Sequence, residues 1–286
     1  MQWLTGKVLA IQGIILSFVF SAAAQDADKR AIHTTTGDIR TIDNFKSSYL
    51  QNDRTITVYL PPGYAASTDQ RYPVIYMHDN QNLFDGARAY VAGSEWKADE
   101  TAQELMSKGV IGPAIIVGID HANEQRVTEL TPTKTKRGGG QASNYAAMLI
   151  KEIKPMIDSI YRTKVDRKNT MVCGSSLGGI MSLYLGLNHP ETFGAIGVMS
   201  PSLWWDNGYF LKAIEASNIP ADVRFWVDCG SEEGSKMVND VKKLKALFEK
   251  KGLSEGEHFR CTIYEGAEHN EESWSRRFGD VLDFFL

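Results

Sequence analysis

The sequence is short of cysteine, carries no excess of positive charge and contains no long unbroken apolar run. Three cysteines in 286 residues are too few for a disulfide scaffold. Lys and Arg number 31 against 35 Asp and Glu, a formal net charge of -4. Phosphate binding needs clustered positive charge, so nucleic acid is not an expected partner. The longest apolar stretch, Val8–Phe20, is broken by Gln12, Gly13 and Ser17. It is shorter than the roughly 20 residues that span a bilayer, which excludes a polytopic membrane protein. With 43% hydrophobic and 23% charged residues, the chain has a globular composition, unlike a disordered tail or a collagen-like rod.

That apolar stretch follows a single charge, Lys7, and precedes Ser21-Ala22-Ala23-Ala24-Gln25. A charged start, a short apolar core and a small-residue site are the layout of a secretory signal peptide. Cleavage is expected after Ala24, leaving residues 25–286 as a single domain, exported to the periplasm or the medium. No Cys follows that site, so lipid attachment there is not expected, nor is an integral membrane segment after cleavage.

Beyond about Asp38 the pattern alternates between strand and helix. Arg54–Leu60 alternates polar and apolar residues with period two and ends at Pro61-Pro62-Gly63, as a half-buried strand does. Short continuous apolar runs follow at Pro73–Met77, Pro113–Ile119, Thr170–Cys173, Gly194–Met199 and Val223–Val227, with a more alternating Arg260–Tyr264. Continuous runs suit strands buried on both faces of a parallel sheet. Helical patterns lie between them at Glu95–Ser107, Asn144–Tyr161, Ile180–Asn188, Lys236–Lys251 and Glu271–Leu286. The order predicts one doubly wound α/β domain, with a mostly parallel central sheet and helices on both faces. The one long irregular stretch is Asp120–Ala142, emerging at the carboxyl edge where open α/β folds keep their sites.

Chemistry enters at Gly174-Ser175-Ser176-Leu177-Gly178, which follows a predicted strand and opens a predicted helix. In that context G-x-S-x-G is a nucleophile elbow: the glycines permit a sharp turn that presents Ser176 at the sheet edge. A serine hydroxyl needs a base to take its proton. On such sheets the partners follow in the order serine, acid, histidine, so His33, His78 and His121 come too early. His189 ends the helix after Ser176 and His258 precedes the last strand, which leaves His269. The acid is expected past the strand ending near Val227, among Asp228, Glu232 and Glu233; Glu233 is the first choice and Glu232 the second. Oxyanion donors are expected from the backbone N–H of Leu177 and from the turn after the third strand, near Gln81. No metal is expected, because His78-Asp79 and Asp120-His121 have no ligand partners at metal-binding spacing. Cys173, Cys229 and Cys261 fall in or beside core strands and are expected to be free thiols.

Several further segments carry a resemblance. They are Val58-Tyr59-Leu60-Pro61-Pro62-Gly63-Tyr64, Tyr76-Met77-His78-Asp79 with Gln81–Phe84, the elbow itself, Ser200-Pro201-Ser202-Leu203-Trp204-Trp205, and Glu268-His269 with Trp274 and Arg277. With them the chain resembles the serine esterase family of the α/β-hydrolase fold that includes enterochelin esterases, the esterase D group, feruloyl esterases and mycobacterial mycolyltransferases. The resemblance implies a carboxylic ester hydrolase working through an acyl-enzyme, with Ser176 and His269 as catalytic residues, an acid on the Glu232-Glu233 loop and no cofactor. The implied substrate is a small-molecule or carbohydrate-linked ester. The alternatives are a siderophore trilactone, acyl transfer, or a non-catalytic binding module on the same fold. Relatives often carry Gly where this chain has Asn80, a residue that tolerates left-handed backbone. Trp204 and Trp205, following a central strand, are expected to place at least one indole in the substrate pocket.

Overall fold

A computed structural model describes residues 32–286; the expected signal peptide, residues 1–24, lies outside them. The eight strands among these residues are β1 (Asp38–Phe45), β2 (Arg54–Leu60), β3 (Val74–His78), β4 (Ile115–Ile119), β5 (Thr170–Ser175), β6 (Ala195–Met199), β7 (Arg224–Gly230) and β8 (Phe259–Tyr264). They form one sheet in the order β1-β2-β4-β3-β5-β6-β7-β8. β2 runs antiparallel to both β1 and β4, and the other pairs are parallel.

Helices cover both faces: α1 (Ala98–Ser107), α2 (Arg126–Leu130), α3 (Ala142–Met148), α4 (Lys154–Ile160), α5 (Leu177–Asn188), α6 (Tyr209–Ala216), α7 (Ser235–Lys250) and α8 (Glu271–Phe285). A π turn, Leu149–Ile153, joins α3 to α4. Pro155 has no N–H to offer the carbonyl four residues back, which is a physical reason for the local unwinding. Side chains along β3 divide by the pleat. Val74 and Tyr76 enter the core under α3 to α7, whereas Ile75 and Met77 enter a second core with Ala98 and Ala102 of α1 and Phe278 and Val281 of α8. All five β3 residues are buried, which is why this strand reads as an unbroken apolar run.

Three elements differ from the sequence expectation. β1 has Ile39, Ile42 and Phe45 three residues apart, with a register irregularity between Ile42 and Phe45, so no period of two marks it. α6 is only two turns long, with Phe210 and Ile214 as its buried positions. The Asp120–Ala142 stretch is partly ordered as helix, with a 3-10 turn (Asn123–Gln125) running into α2. It is pinned by Glu129, which accepts from Arg54 at 3.1 and 3.2 Å, both side chains buried.

The chain order reverses around β3, whose neighbours are β4 on one side and β5 on the other. Crevices outside the carboxyl ends of strands at such a point are where open α/β sheets hold ligands.

Candidate active site

Ser176 sits between β5 and α5 with φ 56° and ψ -116°, a positive φ that a non-glycine residue adopts only where its surroundings impose it. They do so here through the Ser176 N–H bond to Met199 O at 3.0 Å and the Ser202 N–H bond to Ser176 O at 3.1 Å. The flanking glycines allow the close approach. A Cβ on Gly174 would lie 2.9 Å from both Gly178 C and His78 Cδ2, and one on Gly179 would lie 2.8 Å from Met199 O.

The Ser176 hydroxyl lies 3.0 Å from His269 Nε2 and 3.2 Å from the Ser202 hydroxyl. His269 stands on the loop between β8 and α8, its ring edge-on to Trp274 at 5.1 Å between centroids. Its Nδ1 lies 2.7 Å from Glu233 Oε2. Asn270 caps α8 by accepting from the Ser273 N–H at 2.9 Å, which ties down the loop that carries the imidazole.

Glu233 is held on its other side as well. Its Oε1 accepts from the Gly230 N–H and from the Ser200 hydroxyl, each at 2.6 Å. Ser200 Oγ in turn accepts from Trp274 Nε1 and Arg277 Nη2, each at 2.9 Å. Burial alone would raise the Glu233 carboxyl, but the hydrogen bonds from His269, Ser200 and Gly230 outweigh it and hold the group below the usual carboxylate range. Glu233 is therefore a carboxylate whenever the imidazole beside it could need one.

The other two acids face elsewhere. Asp228 shares a face of β7 with Trp226, accepts from its Nε1 at 2.7 Å and lies 3.5 Å from Arg277 Nη1. Burial raises its carboxyl to about 6 despite the nearby Arg277. Glu232 is exposed, with the neighbouring Ser231 hydroxyl at 3.2 Å.

Ser176 and His269 open onto a cavity of about 530 Å³, within the range of small-molecule sites. Trp96, Trp274 and Val127 supply apolar wall, and Asp79, Arg126 and Glu271 supply charge. Asp79 has left-handed backbone, φ 60°, and receives the Arg126 guanidinium through two bonds of 2.6 and 2.8 Å. Although burial opposes ionisation, Arg126 keeps the Asp79 carboxyl below its usual range.

Residues 47–285 match the family model Esterase, described as "Putative esterase". The chain belongs to that family. Over 192 residues it is 32% identical to an iron(III) salmochelin esterase of Escherichia coli, covering 60% of this chain and 42% of that one. Over 230 residues it is 29% identical to an endo-1,4-beta-xylanase/feruloyl esterase of Xylanibacter ruminicola, covering 78% of this chain and 28% of that one. The chain thus spans less than half the length of either relative. Among solved structures, the BES protein of Bacillus cereus superposes with a TM-score of 0.70 at 23% identity, covering 87% of this chain and 95% of that one. The shared fold is an α/β-hydrolase sheet.

Within this esterase fold the other sequence candidates are placed as follows. Leu177 is the first residue of α5, where a backbone N–H has no intrahelical acceptor. Gln81 lies in a 3-10 turn (Asn80–Asn82), but its side chain turns from the cavity to the His121 main chain, donating to His121 O at 3.0 Å and accepting from its N–H at 3.2 Å. The left-handed residue of that turn is Asp79, not Asn80, which is buried and donates to Thr57 Oγ1 at 2.9 Å and Asp120 Oδ1 at 2.6 Å. The tryptophan expectation is corrected. Trp205 is buried and donates to Thr133 Oγ1 at 3.0 Å, and Trp204 is partly exposed under Arg137. Neither contributes to the cavity lining, because the turn after β6 sends both indoles toward the 131–139 segment. The three cysteines are free, and burial pushes the thiols of Cys229 and Cys261 up to about 12.

The sequence reading had not found Ser200, Ser202, Asp79 or Arg126 as parts of the site. Ser200 and Ser202 belong to a segment that carried the family resemblance, and Asp79 directly precedes the proposed oxyanion turn. Arg126, 47 residues from its partner Asp79, left no local signal.

Proposed function

We propose that this chain is a serine carboxylic ester hydrolase working through an acyl-enzyme, with Ser176 as nucleophile, His269 as general base and acid, and Glu233 as the acid that orients it. The observation carrying this reading is the continuous chain Ser176 Oγ to His269 Nε2 at 3.0 Å and His269 Nδ1 to Glu233 Oε2 at 2.7 Å. Ser176 Oγ attacks the ester carbonyl carbon as its proton passes to Nε2. The tetrahedral intermediate collapses, and the same proton goes to the leaving alkoxide. A water, deprotonated at Nε2, then attacks the acyl-enzyme and returns the acid and free Ser176.

The N–H groups of Leu177 and Gln81 are the proposed oxyanion donors. Leu177 is supported by its place at a helix start, and Gln81 by preceding the first bond of its turn, Asn82 N–H to Asp79 O at 3.0 Å. Each such donor is worth roughly 3–4 kcal/mol in the transition state. The substrate is a small-molecule or carbohydrate-linked ester, in keeping with the salmochelin and feruloyl esterase relatives. The reading also includes one catalytic domain, residues 25–286, exported after cleavage at Ala24; exported protein whose N-terminus is still Met1 would refute the cleavage.

The test is labelling with a fluorophosphonate together with hydrolysis of 4-nitrophenyl acetate. Wild type is expected to form a Ser176 adduct and turn over. Ser176→Ala is expected to lose both, with turnover down by about 10⁴–10⁶ and folding intact. Near-normal hydrolysis by the variant would overturn the assignment, and absence of an adduct on wild type would favour a binding module.

A further inference from the structure

The charge on the cavity wall is lopsided. Asp79, Glu124 and Glu271 contribute carboxylates to the lining, against one guanidinium from Arg126. Arg126 gives its hydrogen bonds to Asp79 through both Nε and Nη2 and acts on Glu271 only through space, so one guanidinium faces three carboxylates and the wall keeps an excess of two negative charges. Among the described residues neither Glu124 nor Glu271 is in an ion pair within 4 Å; the bonds Glu271 accepts are neutral ones, from Asn82 Nδ2 at 2.9 Å and from its own backbone N–H.

Among the described residues Arg126 is the one Lys or Arg of the lining, and burial lowers the His121 imidazole, which favours its neutral form. Behind the wall Arg277 faces two carboxylates, Asp228 and Glu233, at 3.5 Å each. The basic Lys134–Arg137 stretch lies outside the lining, with Arg137 stacked 5.1 Å from the Trp204 ring centre. Trp96 and Trp274 are buried against one another, their ring centres 5.8 Å apart. Low-dielectric walls of this kind concentrate a field of one sign within a cleft. Burial also raises the Glu271 carboxyl above its usual range, the nearby Asp79 charge adds to it, and neither its own backbone N–H nor the more distant Arg126 and His269 reverse the shift.

We propose that this cleft selects its ester by charge, accepting neutral and cationic esters and rejecting those that bring a negative charge to the reacting carbonyl. This rests on the esterase reading above and narrows its substrate class. Polyanionic esters, including metal complexes of acidic chelators, are excluded, whereas uncharged glycan-linked or aryl esters are admitted.

The test uses three acetate esters of matched shape: 4-acetoxybenzoate (anionic), 4-acetoxybenzamide (neutral) and (4-acetoxybenzyl)trimethylammonium (cationic). Each kcat/KM is divided by that ester's own hydroxide-catalysed rate, at pH 8 and low ionic strength. The anion is expected to fall about tenfold or more below the amide, since the half-buried Glu271 and the exposed Glu124 on the same wall repel it. The cation is expected to equal or exceed the amide. The discrimination is expected to shrink severalfold in 0.5 M salt. The variant Glu124→Gln/Glu271→Gln, in which the amide oxygen at 271 still accepts from Asn82, is expected to raise the anion-to-amide ratio at least fivefold.

An anion hydrolysed as well as the amide would overturn the proposal. So would discrimination that neither salt nor the double variant reduces, because shape would then be its source. Hydrolysis of none of the three would instead strike the esterase reading itself, and the selectivity with it.

Discussion

Glu233→Gln is the most informative single change, because the surroundings of the carboxylate dictate how the amide must sit. Oε1 receives the Gly230 N–H and the Ser200 hydroxyl at 2.6 Å each, with Arg277 Nη2 3.5 Å away. The Ser200 proton has nowhere else to go, since its lone pairs already accept from Trp274 and Arg277. Three donors around one position select the amide oxygen there. The amide NH₂ then occupies the Oε2 position, 2.7 Å from His269 Nδ1, and donates to that nitrogen. The imidazole is thereby fixed with its proton on Nε2, pointing at Ser176, where it can no longer accept one. The loss is one of tautomer, with the fold and the cleft intact. A wrong tautomer in a serine–histidine–acid site costs about 10⁴ in turnover, or roughly 5 kcal/mol of transition-state stabilisation. Steady-state kcat on 4-nitrophenyl acetate measures it, with thermal unfolding as the control and Glu232→Gln, expected within twofold of wild type, as the neighbouring comparison. If Glu233→Gln kept more than a tenth of wild-type kcat, or Glu232→Gln fell with it, the orienting role would be refuted.

Asp228 yields a pH signature. Its carboxyl stands at about 6 in the folded protein against an ordinary 3.8, so folding favours its protonated form. No penalty exists below the ordinary value; the penalty grows as pH rises toward 6 and then levels at about 3 kcal/mol. Urea unfolding of wild type and Asp228→Asn at pH 4, 5, 6 and 7 is expected to show wild type losing stability relative to the variant over that interval, and a pH-independent difference would contradict it. Gly174→Ala places a Cβ 2.9 Å from Gly178 backbone and the His78 ring, and overpacking of this kind is expected to cost about 1–3 kcal/mol in a denaturant melt; a neutral result would show that the elbow can relax. Glu129→Ala strands the buried Arg54 guanidinium, with an expected loss of about 3–5 kcal/mol, and a melt within 1 kcal/mol of wild type would mean that water reaches Arg54.

Much of this protein was legible along the chain. Strands buried on both faces must be apolar throughout, so β3 to β7 each left a run in the sequence, and amphipathic helices such as α7 and α8 left a period near 3.6. The elbow was equally local, because strand, turn and helix are contiguous from Thr170 to Asn188. What sequence alone could not supply was whatever depends on which side chains meet across the fold. Asp228, Glu232 and Glu233 are close neighbours in the chain; the pleat turns Asp228 inward to Trp226 and Arg277, whereas the following turn brings Glu233 to His269. The tryptophan pair looked like pocket lining because it follows a central strand, yet the turn after β6 carries both indoles off to the 131–139 segment. The wall charge that carries the selectivity proposal comes from residues as far apart as Asp79 and Glu271. Periodicity is set by burial one residue at a time, and a single chain records it. A site is set by distances between segments far apart in sequence, and those exist only once the sheet has been assembled.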